Sequence, residues 1–145
     1  MYQHKVLIVD DDDNNRGVLC DALGGEPYRL WEAVDGRQAL EIAKKELPDL
    51  VLLDVLMPGL DGIATLQKLK ADGRTARIPV IMVTVLDRDA KVSQCLNEGA
   101  IDHIAKPFSN LVVRARVRTV LQNRRVMRRW IFQGQHISRA GISLD

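Results

Sequence analysis

The chain has 145 residues and is 46% hydrophobic, which predicts one domain with a buried core and no second domain. Its apolar runs are short and strand-like, and the N-terminus lacks the hydrophobic region of a signal peptide, so we expect a cytoplasmic protein that is not secreted and does not span a membrane. The net charge of +2 is unevenly placed. Residues 1–110 contain 13 Lys and Arg against 18 Asp and Glu, a balance of −5, whereas residues 111–145 contain 8 Arg and one Asp, a balance of +7.

Apolar runs and helix-forming segments alternate along the chain. Strands are predicted at 5–9, 28–34, 50–53, 79–83 and 102–105. Helices are predicted at about 14–23, 37–46, 62–71, 90–97 and 110–131. Five strand–helix repeats indicate an α/β fold, a doubly wound (βα)5 domain with a five-stranded parallel sheet, right-handed crossovers and an extended C-terminal helix.

Particular residues are expected to begin the helices and to face inward. Asn14 or Asp13 should cap the first helix, Asp61 the third and Ser109 the last. Val18 in the first helix and Leu47 after the second are expected on the inner face. Cys20 and Cys95 fall on predicted helices, and we expect both to be reduced and chemically inert.

Polar and charged residues follow four of the predicted strands. In a parallel sheet the carboxyl ends of all strands lie at one edge, which is where such folds place their ligands. The residues brought to that edge are Asp10, Asp11, Asp54, Thr84 and Lys106. Carboxylates there could hold Mg²⁺ beside a phosphoryl group, whose charge an ammonium could neutralise. A lone Asp after a strand more often just starts a turn. The functional interpretation of Asp54 therefore depends on the other charged and polar residues at the same edge.

These residues and their surroundings resemble the receiver domains of two-component response regulators, the CheY-like family, over residues 5 to about 122. The matching segments are Val9-Asp10-Asp11, Asp54 with the following Met57-Pro58-Gly59-Leu60-Asp61-Gly62, Thr84, and Lys106-Pro107-Phe108. The resemblance implies a flavodoxin-like sheet and a receiver domain at 1–122, followed by a basic helical extension and linker at 123–145. It also implies a phosphoacceptor switch and not an enzyme with a turnover substrate, although the domain could catalyse its own phosphorylation and dephosphorylation.

The resemblance also implies roles for single residues. Asp54 would accept a phosphoryl group from a histidine kinase or a histidine phosphotransfer protein. Mg²⁺ would be bound directly by Asp11 and Asp54, by Asp10 through water, and by the backbone carbonyl of Leu56. The Lys106-Pro107 peptide bond is expected to be cis, as the family uses it to aim the lysine.

Thr84 and Lys106 would contact the phosphoryl group and pass the signal to the last helices. His103 stands where the family's switch residue is usually Tyr or Phe, and it could rotate inward and add pH sensitivity or have no role in switching. Asp12 and Asp13 are expected to be capping or solvated residues and not ligands.

A second departure from the family lies at Val85, where a small residue is usual. With Leu56 and Leu86 also apolar near the site, we expect restricted access of water to Asp54 and a long-lived phosphoryl group.

The C-terminal helix carries a possible pairing seam. Val113, Val117, Val120, Met127 and Ile131 follow alternating spacings of 4 and 3, with Arg124 interrupting the series. This helix could join two subunits as a coiled coil, lead into an output domain beyond residue 145, or present a basic surface to nucleic acid. The lack of a DNA-reading module after residue 131 argues against direct nucleic-acid binding.

Two other functions share parts of this pattern. A pseudo-receiver would dimerise without phosphorylation. A haloacid-dehalogenase-type phosphatase also uses an Asp nucleophile and Mg²⁺, but its Asp-x-Asp-x-Thr/Val pattern would have Asn14 in the last place.

Overall fold

The computed structural model describes residues 3–57, 59–85 and 89–133, with side chains except at 89–91 and 124–133. Within these residues the strands are β1 (His4–Val9), β2 (Tyr28–Ala33), β3 (Leu50–Asp54), β4 (Val80–Thr84) and β5 (Asp102–Ala105). The helices are α1 (Asp13–Leu23), α2 (Gly36–Glu46), α3 (Gly62–Ala71), α4 (Asp89–Asn97) and α5 (Asn110–Gln133). The predicted alternation of strands and helices, including the extended last helix, is confirmed.

The five strands form one parallel sheet in the order β2-β1-β3-β4-β5. β3 lies at the centre, and all five of its residues are buried. One hydrophobic cluster lies between the sheet and α2, α3 and α4, and a second lies between the sheet and α1 and α5. A strand with core on both faces needs apolar side chains at every position, which is why β3 reads as a continuous aliphatic run.

The ends of the helices follow the predicted chemistry at two of the three caps. The Asp61 carboxylate accepts a hydrogen bond from the Ala64 amide (2.8 Å), and Ser109 Oγ accepts one from Val112 (3.1 Å). The prediction for α1 was wrong, because Asp12 is its N-cap and accepts from Asn14 (2.8 Å) and Asn15 (3.1 Å). The expectation that Asp12 is a capping residue is thereby confirmed.

Two residues expected on inner faces are exposed. Val18 is 47% exposed, because the buried stripe of α1 is centred on Arg16, Leu19, Ala22 and Leu23 and position 18 lies at its edge. Leu47 is 51% exposed. It follows the end of α2 in a left-handed conformation (φ 49°), since Pro48 prevents the helix from continuing, and its side chain leaves the helical face.

The predicted pairing seam of α5 is only partly available for pairing. Val113, Val117 and Val120 are buried in the core of this same chain, packed on the sheet and α1. Interpreting these positions as a surface for a second helix was therefore wrong. Met127, Ile131 and the arginines at 124, 125, 128 and 129 lie outside the described side chains. None of the helices in the described ranges combines the length and apolarity needed to cross a bilayer.

Candidate functional site

The predicted site residues meet at the carboxyl edge of the sheet. Asp54 is the last residue of β3 and Thr84 the last of β4, while Asp10 and Lys106 directly follow β1 and β5. β1 and β4 are the two neighbours of β3, so Asp54 has residues of the site on both sides. The parallel topology thus brings together residues that are up to 96 positions apart in the sequence.

Three carboxylates form the acidic part of the site. One oxygen each from Asp10, Asp11 and Asp54 lies within 4.8 Å of the others. Asp10 is 0% and Asp54 5% exposed, whereas Asp11 faces solvent. Oxygen donors alone, one of them open to water, suit a hard divalent cation such as Mg²⁺, which keeps part of its hydration shell. The residues present therefore fit the predicted metal.

Lys106 supplies the positive charge within this cluster. Its Nζ lies 3.1 Å from Asp10 Oδ2 and 3.5 Å from Asp54 Oδ1. The Lys106 amide donates to the Thr84 carbonyl (2.7 Å), which ties the loop after β5 to the end of β4. The Lys106-Pro107 bond is cis, as predicted. The lysine is thus held between the two buried carboxylates.

Burial raises the pKa of Asp54 from 3.8 to about 6. The Asp10 carboxylate adds to this increase, while the Lys106 ammonium and the Leu56 amide, 3.4 Å from Asp54 Oδ1, oppose it. The Asp54 carboxyl group is therefore ionised above about pH 6 in the metal-free protein, but less readily than an exposed aspartate.

The loop between β3 and α3 is packed directly against Asp54. The Gly62 amide donates to the Val55 carbonyl (3.0 Å), and a Cβ at Gly62 would lie 2.0 Å from the Asp54 carbonyl oxygen. Thr65 Oγ1 donates to the Asp61 carbonyl (2.7 Å). Only a glycine permits this close approach of the start of α3 to the end of β3, which explains why the turn residues of this segment matter for the site.

The remaining predicted residues lie around this centre. Thr84 is buried, whereas Val85 and Leu56 are each more than half exposed. His103 is partly buried on the edge strand β5, and its amide donates to Asp102 Oδ1 (2.8 Å). Leu86 and Pro58 lie outside the described residues. The switch role of His103, the Leu56 carbonyl as a ligand and the effect of Val85 stay predictions.

The sequence reasoning missed Arg16. Its Nη1 donates to the Asp10 carbonyl (2.7 Å), Nε donates to Glu32 Oε1 (3.2 Å) and Nη2 pairs with Asp13. The i,i+3 spacing of Asp13 and Arg16 could have indicated an ion pair. Nothing in the sequence predicted that Arg16 would be buried next to the acidic loop.

Comparisons with known proteins agree with this geometry. The family model described as the response regulator receiver domain matches residues 6–118. The response regulator PleD of Caulobacter vibrioides is 42% identical over 116 residues, which are 80% of this chain and 26% of that protein. Sporulation initiation phosphotransferase F of Bacillus subtilis is 39% identical over 121 residues, 83% of this chain and 96% of that protein.

Solved structures show the same fold. A chain of the CheX–CheY–BeF3–Mg²⁺ complex from Borrelia burgdorferi is similar with a TM-score of 0.76 and 32% identity, covering 81% of this chain and 88% of that one. The chain spans between a quarter and a half of the length of several curated relatives, including PleD and algal regulators named ycf27. The family-model match covers more than half of the sequence, and the acidic cluster and lysine lie within it. The chain therefore belongs to the response regulator receiver domain family.

Proposed function

We propose that this receiver domain is a switch in which Asp54 accepts a phosphoryl group from a phosphohistidine of a histidine kinase or histidine phosphotransfer protein. The observation that carries the proposal is the buried Asp54 carboxylate 3.5 Å from Lys106 Nζ, inside a group of three carboxylates. Burying two carboxylates beside an ammonium usually costs more stability than apolar packing would, so such clusters are more often retained for function.

The chain's own residues suit this transfer. A carboxylate oxygen of Asp54 attacks phosphorus, a P–O bond forms, and the P–N bond breaks with its electron pair going to the imidazole nitrogen. The attack requires ionised Asp54, which its pKa of about 6 provides at neutral pH. The Lys106 ammonium lies 3.5 Å from Asp54 Oδ1, and Thr84 ends β4, the strand beside β3. Both would bind the oxygens of the transferred group.

The cation site is part of the same proposal. Bound Mg²⁺ would neutralise charge on the transferred group and on the carboxylates. Asp11 and Asp54 would bind it directly, with the Leu56 carbonyl as a further ligand. Asp10 Oδ1 already accepts from the Asp12 amide (2.9 Å), and Oδ2 pairs with Lys106, which supports a water-mediated role for Asp10.

The output of the switch belongs to α5 and the residues after it. Arg116 pairs with Asp102 (2.6 Å) and Arg118 with Glu26 (2.7 Å), and Arg114 donates to the Ala22 carbonyl (3.5 Å). The charges of Arg116 and Arg118 are thus paired within the domain, which argues against a nucleic-acid surface on this part of α5. We place the receiver unit at 1–122 and propose that 123–145 is an extension that joins a second copy or leads to an output domain, in the cytoplasm.

The proposal is tested with Mg²⁺ and acetyl phosphate. Intact mass should show one phosphoryl group on the wild-type chain and none on Asp54→Asn, and sedimentation with beryllofluoride should show whether activation changes the oligomeric state. An unmodified wild-type chain that dimerises without either reagent would identify a pseudo-receiver instead. Repeated turnover of a phosphate ester would identify a phosphatase.

A further inference from the structure

Arg16 is buried without an assigned role. Among the lysines and arginines whose side chains the structure describes, it is the only buried one, with 9% exposure. A guanidinium cannot lose its charge in a protein, so it must be compensated where it lies. Its partners come from three elements: the carbonyl of Asp10 after β1, Asp13 in α1 and Glu32 in β2. Arg16 thus links the segments that surround the acidic loop.

With the Arg16 contact, the amide, the carbonyl and the carboxylate of Asp10 all have partners. The Asp10 amide donates to the Ala33 carbonyl (3.2 Å), and its carbonyl accepts from Arg16 (2.7 Å). Its carboxylate accepts from the Asp12 amide and pairs with Lys106. The carbonyl that Arg16 binds belongs to the peptide that leads into Asp11. The direction in which Asp11 leaves the strand is therefore set partly by the guanidinium.

We propose that Arg16 is a positioning residue for the divalent-cation site, which orients the Asp10-Asp11 peptide so that Asp11 can share a cation with Asp54. The inference rests on the cation site of the proposed function. Planar guanidinium groups fix geometry through several parallel donors, which a lysine ammonium does not. Outer contacts of this kind typically change metal affinity by about 10–100-fold when they are removed.

The loss of charge and the loss of positioning should change the Mg²⁺ affinity of Arg16→Met in opposite directions. Removing the positive charge that binds the Asp10 carbonyl, and leaving Asp13 and Glu32 without this partner, would by Coulomb's law alone strengthen Mg²⁺ binding. Loss of positioning would weaken it, and we expect an increase of about tenfold or more in the Mg²⁺ dissociation constant, measured by titration calorimetry with Mg²⁺ alone. Arg16→Lys keeps the charge and should also bind Mg²⁺ more weakly than wild type.

A matched control is Arg118→Met. Arg118 also forms an arginine–glutamate pair, with Glu26 before β2 at the other end of the sheet, so its loss should leave Mg²⁺ affinity unchanged. Thermal melts without Mg²⁺ identify variants that are folded. If Arg16→Met is unfolded, Arg16→Lys decides the test.

The outcomes separate the inference from the proposed function. Wild-type binding that Asp11→Asn weakens would support the cation site, and wild-type affinity in both Arg16 variants would then refute the positioning role alone. Tighter binding by Arg16→Met would likewise refute it, because charge would then dominate. A wild-type chain that does not bind Mg²⁺ would overturn both.

Discussion

Gly62→Ala tests whether the contact between α3 and the end of β3 holds Asp54 in place. The new Cβ would lie 2.0 Å from the Asp54 carbonyl oxygen and 2.7 Å from Val55 Cα, and both are backbone atoms that no rotamer change can move. Contacts under 3.0 Å are essentially absent from proteins, so the two segments must separate by about 1 Å. Overpacking costs about 1–3 kcal/mol, and weakening the hydrogen bond from Gly62 to Val55 costs about 1 kcal/mol. The higher helix propensity of alanine stabilises the fold by less than about 1 kcal/mol, so we expect a net destabilisation of roughly 2 kcal/mol.

Denaturant unfolding of wild type, Gly62→Ala and Gly17→Ala measures this difference. Gly17 lies inside α1 with open space around its Cβ position, so the same substitution there should stabilise the fold by about 0.5–1 kcal/mol. Gly62→Ala should also accept phosphoryl groups from acetyl phosphate more slowly, because the Asp54 backbone moves. Stability of Gly62→Ala equal to that of wild type would refute the reasoning that this contact is rigid.

Three further predictions concern the site itself. Because burial raises the pKa of Asp54 from 3.8 to about 6 on folding, its protonated form stabilises the fold below about pH 4, and this contribution is lost as the pH rises through 6. The stability of Asp54→Asn relative to wild type in EDTA should therefore increase from pH 4 to pH 8, by up to about 3 kcal/mol at 1.36 kcal/mol per pKa unit. A difference that does not change with pH in urea titrations would contradict this. Val85→Ala should lose the phosphoryl group faster than wild type when intact mass is followed over time, with Val34→Ala as an exposed control at the wild-type rate, and equal decay rates would remove Val85 as a barrier to water. If His103 takes part in switching, His103→Ala should alter the amide chemical-shift changes that beryllofluoride induces; identical changes would exclude it.

The fold and the centre of the site were readable because they depend on local and topological regularities. Continuous aliphatic runs predict strands buried on both faces, and the parallel order then brings the residue after each strand to one edge. Asp54, Asp10, Asp11 and Lys106 could therefore be grouped without any knowledge of distances. Their mutual geometry, including the 3.1 Å and 3.5 Å contacts of Lys106, required the structure.

Apart from the N-cap of α1, which is Asp12 and not Asp13 or Asn14, the predictions that were wrong concern which face of a helix is covered. The heptad-like spacing of Val113, Val117 and Val120 suits a partner helix and also suits the sheet of the same domain, because both bury a narrow apolar stripe. Val18 was placed inward because it is apolar, whereas the charged Arg16 occupies the buried stripe of α1. The hydrophobic periodicity of the sequence does not predict a buried arginine in place of an apolar residue, because its burial depends on which polar groups lie at the ends of the neighbouring strands.

Asp10 contacts two positively charged side chains, Lys106 and Arg16. Lys106 contacts its carboxylate from the side of Asp54, and Arg16 contacts its carbonyl from the side of α1. A phosphoryl group on Asp54 would add negative charge close to Lys106 Nζ, and we expect the ammonium to move from Asp10 towards it. The Lys106 amide is bonded to the Thr84 carbonyl, so this movement acts on the ends of β4 and β5. Arg16 binds the backbone carbonyl of Asp10 and not its carboxylate, so we expect this contact to remain while Lys106 moves. We therefore expect the residues on β1 and α1 to stay in place on phosphorylation and the ends of β4 and β5 to respond.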